Sequence, residues 1–425
     1  MASEDPLPGL TAVENPDAES QETQESESAS PPSHEPKIRC RPALYGSNDE
    51  SLNTFCFAFL AEGAANAVFQ VIPNPGEGKE SFVFEDEKGK ILGKESLGRK
   101  VLRLSKGKPK TLRYKEIMEG FENEVIPLFR KTEAPLDQVS GLRNALNLSI
   151  NESFEEFVME HEGVAIAPEA LTALIAELHT HCPDNRHIEP HHLEERGILL
   201  PDMSSVPGSV TTIEIKPKWL LQSPNAPRGA YLCRTCALHA SRKAEKTYKG
   251  AWICPLALVA GSTAAIDPYV RHSSLLALKE EARKGPQKRI MGPDPAHIEA
   301  ITNRAVPYLS TGPGHKILQH IRHLQAQLDQ KGVLVHSSSP EDDYRLRLAM
   351  TLRDCSLFIR IPWADQTAPI EAKLGDLDFK SAGKMGDWTE KEEGLLHGGW
   401  YVDLESEMEE CWIAQGWKRH VPHYF

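Results

Sequence analysis

The sequence contains no long apolar run and has few cysteines. No stretch of about 18 consecutive apolar residues occurs in the 425-residue chain, so we expect no membrane-spanning helix. The first residues, Met-Ala-Ser-Glu-Asp-Pro, contain neither a basic nor an apolar segment, which disfavours a secretory signal. The eight cysteines are scattered, as is usual in a reducing compartment. We therefore expect a soluble intracellular protein with no membrane partner.

The net charge of −13 is concentrated at the N-terminus. Residues 1–37 contain nine acids and one lysine, with almost no large apolar side chain after Leu10. Such a segment cannot bury enough surface to offset its ordering entropy, so we predict a disordered acidic tail over 1–37. Residues 38–425 carry a net charge of only −5 and show no extended basic stripe. We therefore expect no nucleic-acid partner, whereas a local basic pocket for a small polyanion remains compatible with this balance.

The order of secondary-structure patterns indicates an α+β fold. Because 425 residues exceed what one core usually organises, we expect two lobes. Apolar runs at 52–60 and 67–72 flank the small-residue segment 61–66, a β-hairpin pattern. The polar segment 74–90 is typical of a loop. Further strands are predicted at 100–104, 197–203, 210–218 and 355–360, with helices at 111–130, 171–178 and 343–351. We place an N-terminal lobe with an antiparallel sheet at 38–200 and a larger mixed α/β lobe at 201–425.

The usual nucleotide-binding and protein-kinase motifs are missing. Gly76-Glu77-Gly78-Lys79 lacks the spacing and setting of a P-loop, and neither His-Arg-Asp nor Asp-Phe-Gly occurs. A phosphotransferase therefore requires a hairpin-type clamp. The segment Glu62-Gly63-Ala64-Ala65-Asn66 fits, since small residues let backbone N–H groups approach phosphate oxygens. The same residues are also typical of a simple turn.

The segment Glu214-Ile215-Lys216-Pro217-Lys218 combines two lysines with one acid. In a strand, Ile213 and Ile215 face the core, so Glu214 and Lys216 line the opposite face. Pro217 ends the strand and redirects Lys218. Two ammonium groups beside one carboxylate suit a site that neutralises phosphates. The alternative is a solvated strand face with a salt bridge.

Two further groups of acids suit phosphate chemistry. Alternation over Asp376-Leu377-Asp378-Phe379-Lys380 predicts that Asp376, Asp378 and Lys380 share one face, and two carboxylates there can hold Mg²⁺. Asp354 lies at a strand boundary, where a carboxylate can accept the proton of a substrate hydroxyl. The alternative for Asp354 is an ordinary helix-end or turn residue.

These segments, together with Lys100-Val101-Leu102-Arg103 and Asp354-Cys355-Ser356, occur in the order seen in inositol-pentakisphosphate 2-kinases. The chain resembles that family, and most of all its fungal members, over residues 45–405. The resemblance implies a two-lobed kinase-like fold and ATP- and Mg²⁺-dependent phosphorylation of the 2-hydroxyl of inositol 1,3,4,5,6-pentakisphosphate to the hexakisphosphate. The alternative is a non-catalytic inositol-phosphate-binding scaffold that retains the fold. A monomer of the nucleus or cytoplasm is expected.

The resemblance also implies roles for single residues. It implies nucleotide contacts at Gly63, Ala64, Ala65, Asn66, Arg103, Asp202, Met203 and Glu214. Asp202 and Met203 correspond to the adenine hinge and Glu214 to the ribose contact. Catalysis is implied for Lys216 and Asp354, and Mg²⁺ binding for Asp376. The implied inositide contacts are Lys218, Arg242, Lys380 and Lys384. Further inositide contacts within 265–340 stay unassigned.

A cysteine pattern leaves a second question open. Cys233, Cys236 and His239 follow a C-x-x-C-x-x-H spacing, with Cys254 downstream. These four residues are zinc ligands by type, but the second closely spaced pair usual in structural sites is missing. Buried free thiols are the alternative.

Overall fold

Two β-sheets carry the fold in the computed structural model. The structure describes residues 34–43, 53–74, 80–108, 111–131, 150–245, 251–284, 293–335, 339–402 and 411–420. The fold is mixed α and β, as predicted. Except for its last four residues, the predicted acidic tail over 1–37 lies outside the described residues. Within the described ranges, no helix is both long and apolar enough to cross a membrane.

The first sheet has seven strands and closes on itself. Its strands are β1 (Ile38–Pro42), β2 (Phe55–Glu62), β3 (Asn66–Pro73), β4 (Phe82–Asp86), β5 (Lys100–Ser105), β6 (Glu162–Ile166) and β7 (Arg196–Pro201). They follow the order β1-β4-β2-β3-β5-β7-β6, and the parallel pairing of β1 with β6 closes the ring while the other pairs are antiparallel. The predicted hairpin is confirmed as β2 and β3. The predicted loop over 74–90 is wrong at β4, because Phe82, Val83 and Phe84 are buried there.

The interior of the closed sheet is aromatic and is completed by one helix. Phe55, Phe69 and Phe84 are buried inside it. Among the described residues of this part of the chain, the α-helices are α1 (Lys94–Leu97), α2 (Tyr114–Gly120) and α3 (Pro168–His181). Helix α3 begins at a proline, which suits the first helical position. Its residues Leu171, Leu174, Ile175 and Leu178 recur at helical spacing and join the same core.

The second sheet has three antiparallel strands. They are β8 (Val210–Ile215), β9 (Ser356–Pro362) and β10 (Glu371–Gly375), with β9 in the centre. The helices of this part are α4 (Arg234–Ala244), α5 (Pro255–Val259), α6 (Thr263–Lys284), α7 (Pro295–Ser310), α8 (Pro313–Leu328), α9 (Pro340–Asp354), α10 (Met385–His397) and α11 (Trp412–His420). Ile213, Ile215 and Ile359 pack with α6 to α9 in the largest core. The predicted inward orientation of Ile213 and Ile215 is thereby confirmed.

The register of the second sheet brings distant parts of the sequence to one edge. Ile215 at the end of β8 pairs with Leu357, and Gly375 at the end of β10 pairs with Ser356 at the start of β9. The residues after β8, before β9 and after β10 therefore meet at the same edge. The predicted segments 214–218, 354–356 and 376–380 lie at these three positions, whereas the predicted clamp at 62–66 lies on the closed sheet.

We expect Leu174→Ala to lower the free energy of unfolding by about 2–5 kcal/mol, because it leaves a cavity in the aromatic core. Leu174 is fully buried. Chemical denaturation measures the change. The matched control is Leu276→Ala in helix α6, where the leucine is 42% exposed and the expected change is within about 0.5 kcal/mol. Equal losses in both variants would contradict the assignment of the core.

Candidate active site

Lys216 is the centre of a polar cluster at the edge of the second sheet where β8 ends, β9 begins and β10 ends. Its Nζ lies 3.0 Å from Ser356 Oγ, 3.2 Å from Glu214 Oε1 and 3.7 Å from Asp376 Oδ2. Ser356 in turn donates to Glu214 Oε1 at 2.7 Å. Burial lowers the pKa of Lys216, but the carboxylates of Glu214 and Asp376 more than offset this and raise it above its ordinary value. Lys216 is therefore a fixed positive charge at neutral pH.

Asp354 lies between two lysines. Lys218 Nζ is 3.0 Å from one of its carboxylate oxygens, and Lys380 Nζ is 2.8 Å from the other. Asp354 is the last residue of α9, a helix in which the Asp342 N–H donates to the hydroxyl of the N-cap residue Ser339. Burial raises the pKa of Asp354, but the two ammonium groups more than compensate and lower it to about 2. The carboxylate is thus ionised at neutral pH, able to accept a hydrogen bond but a weak base.

A cavity of about 620 Å³ opens beside these groups and is named here the basic cavity. Among the described residues, its lining includes seven cations: Lys216, Lys218, Arg234, Arg242, Arg353, Lys380 and Lys391. Glu214 and Asp354 are its two carboxylates. Trp219, Trp252 and Trp388 add aromatic surface. A pocket with this excess of cations attracts a small, highly charged anion.

Arg103 connects the closed sheet to the segment after β10. Its guanidinium is almost fully buried and forms a two-pronged ion pair with Asp378. The side-chain oxygen of Asn66 accepts from Arg103 Nη2 at 3.0 Å in the amide orientation that satisfies both groups. Strand β10 ends at Gly375 and Asp376 has a φ of 55°, so regular strand geometry does not continue over 376–380, although Leu377 and Phe379 pack into the core as predicted. Asp378 pairs with Arg103, and Asp376 lies beside Lys216.

The predicted nucleotide contacts lie on the closed sheet and the connector that follows it. Gly63 N donates to Asn66 O at 2.9 Å, which closes the β2–β3 turn, and Ala64 is exposed there. Asp202 follows β7, and its carboxylate accepts from Gln70 Nε2 at 3.2 Å and from Ser204 N at 2.8 Å. Met203 is buried beside it. The Asp202 side chain thus fixes the connector to β3.

The structure brings seven of the fifteen predicted site residues together at the sheet edge and the basic cavity. Six of them form the contacts described above: Glu214, Lys216, Lys218, Asp354, Asp376 and Lys380. Arg242 lines the basic cavity from α4. Lys384 is not among the described lining residues, and its Nζ lies 3.4 Å from Asp387. The sequence interpretation missed Arg234, Arg353 and Lys391. Two of these could have been predicted from their neighbours in the sequence, because Arg234 lies inside the Cys-Arg-x-Cys segment and Arg353 directly precedes Asp354.

Four buried cysteines form a separate cluster. The sulfur atoms of Cys233, Cys236, Cys254 and Cys411 all lie within 4.8 Å of one another. Cys233 Sγ and Cys254 Sγ are 3.9 Å apart, close to the roughly 3.8 Å that tetrahedral zinc with about 2.3 Å bonds requires. His239, a ligand candidate from the sequence, instead stacks on Trp252 at 3.9 Å between ring centres. Cys411 supplies the fourth thiol, which the sequence interpretation missed because it lies 157 residues after Cys254.

Comparisons with known proteins give consistent results. A family model described as inositol-pentakisphosphate 2-kinase matches residues 59–394. A curated protein of Yarrowia lipolytica (strain CLIB 122 / E 150), named inositol-pentakisphosphate 2-kinase, is 33% identical over 191 residues. That alignment covers 45% of this chain and 53% of the relative. The chain thus spans about half the length of this curated relative.

We expect the cysteine cluster to bind one zinc ion per chain, because four thiolates at tetrahedral distances are a favoured donor set. Elemental analysis of purified protein measures the content, and Cys411→Ser should reduce it and lower the melting temperature. Cys182→Ser is the control, since Cys182 lies outside the cluster. A zinc-free wild-type protein that melts at the same temperature with and without added zinc would support free thiols instead.

Proposed function

The chain belongs to the inositol-pentakisphosphate 2-kinase family, and we propose that it transfers the γ-phosphoryl group of ATP to the 2-hydroxyl of inositol 1,3,4,5,6-pentakisphosphate. The product is inositol hexakisphosphate. The observation that carries this proposal is the basic cavity, in which Asp354 is held between Lys218 and Lys380. A site for an ordinary hydroxyl substrate would not need so many cations.

The proposed inositide contacts follow from charge and position. Lys218, Arg242 and Lys380 line the basic cavity and bind substrate phosphates, and Lys391 adds a further cation at the wall. Each phosphate ester carries about −1.5 to −2 charges at neutral pH, so several cations per substrate are required. Lys384 serves as a more distant contact, because it lies outside the described lining of the cavity.

The transfer step uses charges that the chain already holds in place. The oxygen of the 2-hydroxyl attacks the γ-phosphorus, the bond from that phosphorus to the bridging oxygen breaks, and ADP leaves. Asp354 accepts a hydrogen bond from the hydroxyl and orients it, while its pKa of about 2 makes it a poor final proton acceptor. The proton therefore passes to the phosphate product or to solvent. Lys216 stabilises negative charge on the transferring group.

ATP is assigned to the side of the site formed by the closed sheet, in a two-lobed, kinase-like arrangement. The lobe over 38–200 clamps the nucleotide, and the part over 201–425 binds the inositide. In this assignment the Gly63–Asn66 turn and Arg103 contact phosphates, the connector at Asp202 and Met203 receives adenine, and Glu214 lies near ribose.

Asp376 fits a magnesium site, since its carboxylate is more than half exposed and is held beside Lys216. A bound Mg²⁺ ion would neutralise charge on the nucleotide phosphates.

A reducing environment suits the cysteines, none of which is in a disulfide. This supports the nucleus or cytoplasm as the location, and we propose that the chain acts as a monomer. The basic cavity, with a volume of about 620 Å³, favours a small-molecule substrate over nucleic acid or a membrane surface.

We expect Lys216→Ala to lower kcat by about 10²–10³-fold, since it removes a charge used in the transition state. The assay combines ATP, Mg²⁺ and inositol pentakisphosphate and separates products by anion exchange. Lys279→Ala, at an exposed position of α6, is the control and should retain full activity.

Three outcomes would contradict the proposal. Near-normal turnover by Lys216→Ala would remove the central site assignment. Binding of the inositide by the wild-type protein without turnover would favour a scaffold. Phosphorylation of a generic protein substrate in place of the inositide would indicate a protein kinase.

A further inference from the structure

Lys218 has an unusual backbone conformation. Among the described residues, Lys218 and Asp376 are the two non-glycine positions with positive φ, each at 55°. Aspartate tolerates this left-handed region because its short side chain can bond the local backbone, whereas lysine has no such group near its backbone. The conformation of Lys218 must therefore be held by its surroundings.

The fully buried Gln325 holds the backbone on both sides of Trp219, the residue after Lys218. Gln325 in α8 donates from Nε2 to the carbonyl oxygen of Lys218 at 2.9 Å. Its Oε1 accepts from the N–H of Leu220 at 3.0 Å. Both the donor and the acceptor of the Gln325 amide therefore bond to the backbone of residues 218–220. Solvent water does not reach these two hydrogen bonds, because Gln325 has no exposed surface.

The residue between these two bonds is Trp219, and two guanidinium groups contact its ring. Arg353 is 3.5 Å from the ring centre and Arg234 is 4.7 Å from it. Arg353 is bonded to Asp329 at 2.6 Å, and Arg234 to Glu392 at 2.9 Å, so neither arginine is free to move. Arg353 directly precedes Asp354. The same stack therefore fixes the backbone next to Lys218 and the backbone next to its ionic partner.

Resting on the proposed function, we propose that Gln325 is a positioning residue for inositide binding. Its amide keeps Lys218 in the left-handed conformation that directs the ammonium group to Asp354, 3.0 Å away, at the wall of the basic cavity. Gln325 does not itself line that cavity. Without the two hydrogen bonds with Gln325, residues 218–220 relax to an ordinary backbone conformation and Lys218 no longer points at the substrate phosphates.

The test is a double-mutant cycle on binding of inositol pentakisphosphate, measured by titration calorimetry. Gln325→Met preserves the side-chain volume but leaves the Lys218 carbonyl and the Leu220 N–H unpaired. We expect about tenfold weaker inositide binding, with ATP affinity unchanged within twofold. In the Lys218→Ala background the same change should have little further effect, because the group it positions is already absent. A purely structural role would weaken binding equally in both backgrounds.

Gln327→Met on the same helix is the matched control, since the Gln327 side chain bonds His323 at the surface. If Gln325→Met does not fold, Trp219→Phe tests the same segment, and its effect on binding should likewise vanish with Lys218→Ala. Wild-type affinity in Gln325→Met, or full additivity in the cycle, would overturn the positioning role while leaving the proposed function intact. Absence of inositide binding by the wild-type protein would overturn both.

Discussion

The structure depends on mutual neutralisation between lysines and carboxylates at one edge of a three-stranded sheet. Two ammonium groups about 4 Å apart repel by roughly 4 kcal/mol at an effective dielectric constant near 20. The repulsion between Lys218 and Lys380 is offset because each binds one of the two oxygens of Asp354. Lys216 is balanced by Glu214 and Asp376 in the same way. A strongly cationic wall can therefore exist in the empty protein, and a polyanion has only to share these lysines with the carboxylates.

The arginines and lysines of the basic cavity have different physical roles. Arg234 and Arg353 are buried, stacked on Trp219 and paired with the buried acids Glu392 and Asp329. Separating either buried ion pair would leave an uncompensated buried charge, so Arg234 stays bonded to Glu392 and Arg353 stays bonded to Asp329. Lys216, Lys218 and Lys380 are partly exposed, so their ammonium groups are accessible to phosphates. The guanidinium groups of Arg234 and Arg353 thus form a fixed part of the cavity lining, whereas the lysines and Arg242 are the cations proposed to meet the ligand.

Local patterns in the sequence predicted the parts of this site that local physics determines. Alternation gave the inward orientation of Ile213 and Ile215, and small residues between apolar runs gave the β2–β3 hairpin. Strand β4 escaped prediction because its three buried residues stand alone in a polar segment. The left-handed backbone of Lys218 was not predictable, since its cause is Gln325, more than a hundred residues later. The role of Cys411 was not predicted for the same reason, because the three cysteines it joins lie more than a hundred residues earlier.

Support for the basic cavity extends beyond the residues that the family model matches. That match ends at 394, yet Glu392 is held by a hydrogen bond from Tyr401 Oη at 2.5 Å as well as by Ser223 and Arg234. Cys411 packs against Cys233, the residue that caps helix α4. Because α4 carries Arg234 and Arg242 into the cavity wall, the geometry of that wall depends on packing by the C-terminal part of the chain. The residues proposed to contact phosphates and the residues that hold them in place are therefore found in different parts of the sequence.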